Sequence, residues 1–304
     1  IADKIIQERN VSFFEEMYSS KNNEKLKVKE VKKTIKKNLF NLEKWIILKF
    51  LSKFYKKEFR ATNLFNNFYF QPLNYVRLFE IPACISFFPK NKKMKILDIS
   101  SPKIVSLYMS LTGYEHVIIS DLDDYFISDF KILQRVFEKR FRTKIVDATN
   151  IPFEKNTFDF IFSISVLEHI PDSGDIVAIK EIKRTLKKNG VLVFSLPAHI
   201  QFTEEWIKKT KDVMYWKSEI NEKGEYFYQK RYDIQSIKNR FEDSDFQIEE
   251  IICLAENAII KPYFDKNGAF KHNLHAINRK TKNLKNIARK TKIPLLEHFI
   301  EKYY

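Results

Sequence analysis

The chain has 304 residues, 44% hydrophobic and 31% charged, a balance that supports a packed core and excludes a disordered polymer. Its formal net charge is +15, yet residues 21–60 carry 14 Lys or Arg against 4 acids and residues 261–304 carry 11 against 3, whereas 91–200 are nearly balanced at 16 against 14. The basic character therefore lies in the flanks, where nucleic acid, an anionic membrane surface or a phosphorylated substrate is the partner it would suit, and the centre lacks the charge of a nucleic-acid-binding face.

No apolar stretch reaches the length of a bilayer, and Asp3, Glu8, Glu15 and Glu16 near the start are unlike a signal peptide. A start at Ile1 without Met reads as trimming, and a cytoplasmic protein is expected. Cys84 and Cys253 stand apart in apolar surroundings, which predicts buried thiols rather than a redox motif or metal cluster.

Residues 1–90 read mostly as helix. Between Trp45 and Lys57 an apolar stripe of Ile46, Ile47, Phe50, Leu51 and Phe54 faces a basic one of Lys49, Lys53 and Lys56. Such a helix needs an apolar partner, which the core domain supplies most simply. The aromatic, Asn-rich residues 61–76 read as a linker or lid. From Met94 short apolar runs alternate with helical stretches, the βαβ pattern. Strands are predicted over 95–99, 116–120, 143–146, 159–165 and 191–196, with helices over 102–112, 125–139 and 174–188. Nearly unbroken apolar strands such as Phe160-Ile161-Phe162 and Val191-Leu192-Val193-Phe194 predict a parallel sheet covered on both faces. Beyond it come an aromatic stretch with Trp206, Trp216 and Tyr226-Phe227-Tyr228, a helix over 233–243, strands over 246–252 and 272–278, and a basic tail.

In an open α/β sheet, ligands bind outside the carboxyl ends of the strands near the switch in strand order. Asp98, Asp121 and Asp147 end three successive predicted strands, and Ser163 to His169 follow the fourth. Any one such acid is commonly a turn residue or helix cap. Three at this spacing form one polar rim. A carboxylate after the second strand can accept both hydroxyls of a ribose, one after the third an adenine amino group, and Asp98 suits a cationic amine. There is neither a GxGxxG turn for a dinucleotide pyrophosphate nor a Walker lysine for ATP.

The block Val146-Asp147-Ala148-Thr149-Asn150-Ile151-Pro152-Phe153, followed by Asn156 to Ile170 with Leu167-Glu168-His169 and by Glu181 to Pro197, resembles the class I methyltransferases of the methyltransferase type 11 group over residues 94–200. The resemblance implies a Rossmann-like class I methyltransferase fold: α/β, with a mostly parallel seven-stranded sheet and an N-terminal helical extension. It divides the chain into a helical extension or lid over 1–90, a methyltransferase core over 91–280 with an insertion around 198–232, and a basic tail over 281–304. It implies S-adenosylmethionine as cofactor, held by Asp98, Ser100, Ser101, Asp121, Leu122, Asp147, Ala148 and Ser163. The family's glycine-rich first turn is replaced by Asp98-Ile99-Ser100-Ser101-Pro102-Lys103-Ile104, in which serine hydroxyls and N–H groups must serve the methionine carboxylate.

Methyl transfer from a sulfonium needs chiefly alignment of donor and acceptor in a dry pocket. Where the acceptor must lose a proton, His169 is the candidate base, since histidine titrates near neutrality; its alternative role is packing beneath the loop before Pro171. Glu168 reads as an orienting residue. Arg77, Tyr228 and Arg231 are candidate contacts to a small-molecule acceptor, with the arginines suited to an anionic one. Arg77 has a salt bridge with Glu80 as its alternative, and the aromatic residues have plain packing. His272 and His275 lack companion ligands, so no metal site is predicted. A nucleic-acid methyltransferase and a noncatalytic scaffold stand as alternatives to a small-molecule enzyme.

Overall fold

A computed structural model describes residues 27–30, 62, 77–199, 201–208, 220–241, 246 and 252–255. The amphipathic helix expected over 45–57, the strand expected over 272–278 and the basic tail lie outside them, as does most of the strand expected over 246–252. The chain divides into two compact units: residues 1–34, 67–72 and 252–304 in one, and residues 35–66 and 73–251 in the other. In the first, β1 (Lys27–Glu30) pairs in parallel with β9 (Ile252–Ala255). A strand at 27–30 departs from the helical reading of that segment; the alternation Lys-Val-Lys-Glu is short enough for a pairing partner to decide its conformation.

The second unit holds the expected α/β sheet. Its elements are α1 (Arg77–Ile85), β2 (Lys95–Asp98), α2 (Lys103–Leu111), β3 (His116–Asp121), α3 (Tyr125–Phe137), β4 (Arg142–Ile145), β5 (Phe158–Ile164), a single 3₁₀ turn (Leu167–His169), α4 (Gly174–Thr185) and β6 (Leu186–Ser195). Five parallel strands lie in the order β4-β3-β2-β5-β6. Among the described residues the sheet thus has five of the seven expected strands. An antiparallel hairpin, β7 (Thr203–Ile207) with β8 (Tyr226–Arg231), and α5 (Ile234–Phe241) complete the unit.

The apolar runs fall where burial requires them. Ile96, Leu97, Ile161, Phe160 and Phe162 are 0–2% exposed, as central parallel strands covered by helices demand, and burying each of these side chains stabilises by roughly 1.5–3 kcal/mol. Phe88 packs edge-on against Phe160, with ring centroids 5.5 Å apart, tying the segment after α1 to one face of the sheet. On the other face Ile179 and Ile182 of α4 join Leu97 and Ile161 in one cluster.

α4 ends at Thr185, three residues before the sequence pattern suggests. The amides of Asn156 and Thr157 take the carbonyls of Arg184 and Thr185, so the chain enters sheet pairing there. A left-handed Asn189 (φ 63°) and a register shift opposite Phe158–Phe160 then absorb the residues before Val191.

From β2 the chain builds outward through β3 to β4, then returns to the other side of β2 for β5 and β6. The loops after β2 and β5 therefore diverge, leaving a crevice at their carboxyl ends.

Candidate active site at the carboxyl ends of the sheet

Both strands that frame the crevice end in a serine with left-handed backbone: Ser100 after β2 (φ 52°) and Ser165 after β5 (φ 50°). Each conformation costs about 1 kcal/mol for a residue bearing Cβ, so neighbouring bonds must hold it. Ser100 N–H donates to the Ser120 carbonyl (3.2 Å), and Ser101 N–H donates to Asp98 Oδ1 (3.0 Å). Ser165 N–H donates to Ser195 Oγ (3.0 Å). The first turn thus attains without glycine a left-handed backbone of the kind glycine adopts most readily.

Asp98 is fully buried. It accepts from Ser101 N–H and, at close range, from the Ser106 hydroxyl. Burial pushes its carboxyl up to about 6, against the lowering influence of Lys103, Ser106 and Ser101. Ser101 and Ser163 reach the crevice with their hydroxyls directed into the sheet. Ser101 Oγ accepts from Ile164 N–H (3.0 Å), and Ser163 Oγ donates to the Ile99 carbonyl (3.3 Å). Both knit the end of β2 to β5.

Asp121 ends β3 and is 4% exposed. Its Oδ1 accepts from Leu122 N–H (2.8 Å), while Oδ2 accepts from the Tyr125 hydroxyl (3.0 Å) and forms an ion pair with Lys103 Nζ (2.8 Å). Burial first, and then the charge of Asp121, push the Tyr125 phenol well above its usual range, so it remains a donor. Around this carboxylate Leu122, Tyr125 and Ile145 are exposed, between 46% and 49%, an apolar margin of the kind a flat heterocycle covers. Asp147 is exposed, and its Oδ1 caps a turn by accepting from both N–H and Oγ1 of Thr149 (2.8 and 2.7 Å). Ala148 beside it is buried.

Across the crevice, His169 sits on the 3₁₀ turn after β5, its side chain 30% exposed. Its Nδ1 lies 2.7 Å from the Tyr228 carbonyl of β8. A carbonyl only accepts, so Nδ1 carries the proton and Nε2 is the basic nitrogen of the neutral ring. The Glu168 carboxylate is 3.9 Å from Nε2. The Tyr228 ring packs edge-on to the imidazole, with centroids 5.5 Å apart.

The hairpin bearing Tyr228 is anchored below. Buried Lys230 donates to the Ile170 carbonyl and pairs with buried Asp175 (3.2 Å), which also accepts from Tyr232 (2.9 Å) and Arg240 (2.7 and 2.8 Å). Arg231, a candidate acceptor contact by sequence, is engaged with Glu205 of β7 (2.7 Å). Arg77 opens α1, with its side chain outside the described set. Three participants escaped sequence reasoning: Lys103, Tyr125 and Glu80. Glu80 of α1 accepts from the Ser165 and Ser195 hydroxyls (the latter at 2.7 Å), pinning the helix over the ends of β5 and β6. For Lys103 a signal existed, a single lysine opening an otherwise uncharged helix, but nothing in sequence tells which acceptors it reaches.

Residues 97–194 match the family model described as a methyltransferase domain. This segment is a class I methyltransferase domain of the type 11 group. An uncharacterized protein of Methanocaldococcus jannaschii is 28% identical over 114 residues, 38% of this chain and 45% of that protein. A demethylmenaquinone methyltransferase of Staphylococcus aureus is 30% identical over 112 residues, 33% of this chain and 45% of the relative. The chain thus spans less than half the length of these curated relatives. Among solved structures, an S-adenosylmethionine-dependent methyltransferase of Clostridium acetobutylicum superposes with a TM-score of 0.41 at 14% identity, over 54% of this chain and 78% of the other.

The methyltransferase domain offers a donor set suited to S-adenosylmethionine: the serine turn after β2, buried Asp98, Asp121 with its apolar margin, and the Asp147 turn. One feature runs against the fit, namely the cation on Asp121. Among the described residues no group of three or more His, Cys, Asp or Glu could hold a metal ion, and no helix is long and apolar enough to cross a membrane.

Proposed function

We propose that this domain transfers a methyl group from S-adenosylmethionine to an oxygen or nitrogen atom of a small molecule in the crevice between the β2 and β5 turns. The observation that carries the reading is the convergence, at one sheet edge, of the serine turn, the Asp121 and Asp147 carboxylates and a tautomer-fixed histidine. The cofactor supplies a methyl group already activated on sulfonium. Asp98 receives the cationic amine of the methionine part, Asp121 with Leu122 the ribose and one ring face, and the Asp147–Ala148 turn the adenine edge, with Ser100, Ser101 and Ser163 shaping the first turn. His169 takes the acceptor's proton at Nε2, and the Glu168 carboxylate stabilises the imidazolium that results. Tyr228, with Arg77 and Arg231 at the margins, limits which acceptors enter. The sequence division into an extension over 1–90, a core over 91–280 and a tail over 281–304, and a cytoplasmic location, belong to the same proposal.

Calorimetric titration with S-adenosylmethionine and S-adenosylhomocysteine tests it first. Micromolar binding abolished in Asp121→Ala is expected; no binding by folded wild type would sink the enzyme reading and favour a noncatalytic scaffold. An acceptor screen that includes a demethylmenaquinone-type quinol, after the name of the Staphylococcus relative, follows. In it His169→Gln should lower kcat on the order of 10²-fold with cofactor affinity unchanged. Should the basic flanks take up nucleic acid instead, that binding would fall steeply with salt.

A further inference from the structure

Lys103 stands at the second position after Ser101, inside the turn that approaches a bound nucleoside. Its ammonium is buried and fully used: it donates to the Ser101 carbonyl (3.1 Å) and the Ser120 carbonyl (2.7 Å), and pairs with Asp121 Oδ2 (2.8 Å). The Phe126 ring lies beneath it, 5.0 Å from Nζ to the centroid, and excludes water from that side. Three acceptors therefore take up the ammonium's three N–H donors, with no proton left for a ligand.

The consequence falls on Asp121. A carboxylate has about four acceptor positions, and Leu122 N–H, the Tyr125 hydroxyl and Lys103 occupy three of them. A ribose contacts such a group with two hydroxyls, so one present donor must withdraw. Tyr125 lies at the exposed margin and can turn outward, whereas Lys103 is held by two main-chain carbonyls. Even with Tyr125 displaced, the carboxylate that remains is neutralised by a cation at ion-pair distance and accepts more weakly than a bare charge would.

We infer that Lys103 is an internal counterion competing with the cofactor's ribose for Asp121, and that it sets the domain's affinity for adenosyl ligands well below what the pocket would otherwise reach. This rests on the cofactor reading above. It makes Lys103 a determinant of affinity, unlike a lysine recruited to bind the methionine carboxylate, whose loss would weaken the complex.

The test is calorimetric titration of wild type, Lys103→Met and Lys103→Gln with S-adenosylhomocysteine, adenosine and 2′,3′-dideoxyadenosine, with folding checked by circular dichroism melts. Gln retains a donor for the Ser120 carbonyl and serves where Met fails to fold. The expected result is at least tenfold tighter S-adenosylhomocysteine binding by the variants, an equal gain for adenosine and none for the dideoxy nucleoside. Binding by a variant with none by wild type supports the inference, since the pocket is then an adenosyl site that Lys103 closes, and sinks only the reading of wild type as an active enzyme. Wild-type binding that both folded variants equal or fall short of overturns it and leaves the cofactor reading intact, as does a gain shared by the dideoxy nucleoside. A lower melting midpoint with unchanged affinity assigns Lys103 to structure alone and overturns it too. No binding by any folded form overturns both.

Discussion

Asp98 and Asp175 are equally buried, both at 0% exposure, yet titrate in opposite directions. Burial pushes each carboxyl up. For Asp98 only the charge of Lys103, and after it hydroxyl and amide donors, oppose it, and the group rises to about 6. For Asp175 the Arg240 guanidinium, the Lys230 ammonium and the Tyr232 hydroxyl outweigh burial, and the carboxyl falls below the usual range. The difference separates two tasks. Asp175 is a fixed anion that fastens β8 and α5 to α4. Asp98 carries a charge near neutrality that the protein itself only partly stabilises, which is the state expected of a group awaiting a cation.

The contrast can be broken most forcefully at Asp175. Asp175→Asn leaves Lys230 and Arg240 without their anion inside the core, and should cost about 3–5 kcal/mol of stability in urea unfolding. A loss under 1 kcal/mol would show that the network is no anchor. Next comes Asp98, whose folded value of about 6 lies well above that of an ordinary aspartate. A raised carboxyl contributes stability fully present below the unfolded value and lost as pH rises through the folded one. Asp98→Asn should therefore remove a decline of up to about 3 kcal/mol between pH 4 and 7, read from melts across that window; identical pH profiles for variant and wild type would refute the assignment. The smallest effect is expected at Tyr125. Tyr125→Phe clears one position on Asp121 without touching its charge, and should tighten S-adenosylhomocysteine by roughly two- to fivefold, under 1 kcal/mol, less than substitution of Lys103. A gain equal to that of Lys103→Met would make occupancy, rather than charge, the controlling factor.

The sheet was legible because each central strand is an apolar run flanked by helical periodicity, and the predicted bounds fall within a few residues of those found. The exception at α4 arose from cross-strand amides at Asn156 and Thr157 that no local pattern reveals. The rim acids were legible from spacing, since a carboxylate ending a parallel strand has few places to go. What spacing could not disclose was the direction of the side chains. Ser101 and Ser163 turn inward to join strands 63 or 64 residues apart in sequence. Lys103 reaches forward across 17 residues to Ser120. Glu80 arrives from 115 residues before Ser195. Such contacts depend on which elements the fold makes neighbours, so they become visible only with topology in hand.

The imidazole of His169 gives its Nδ1 proton to the main-chain oxygen at position 228, with no side chain in the exchange. Every amino acid carries that oxygen. The side chain at 228, which packs edge-on against the imidazole, can therefore be exchanged for one of another size or polarity while the main-chain bond that fixes the basic nitrogen is kept. On the proposed function, substrate range and proton chemistry would thereby be uncoupled at adjacent atoms, so that new acceptors could be explored at this residue without passing through an inactive ancestor.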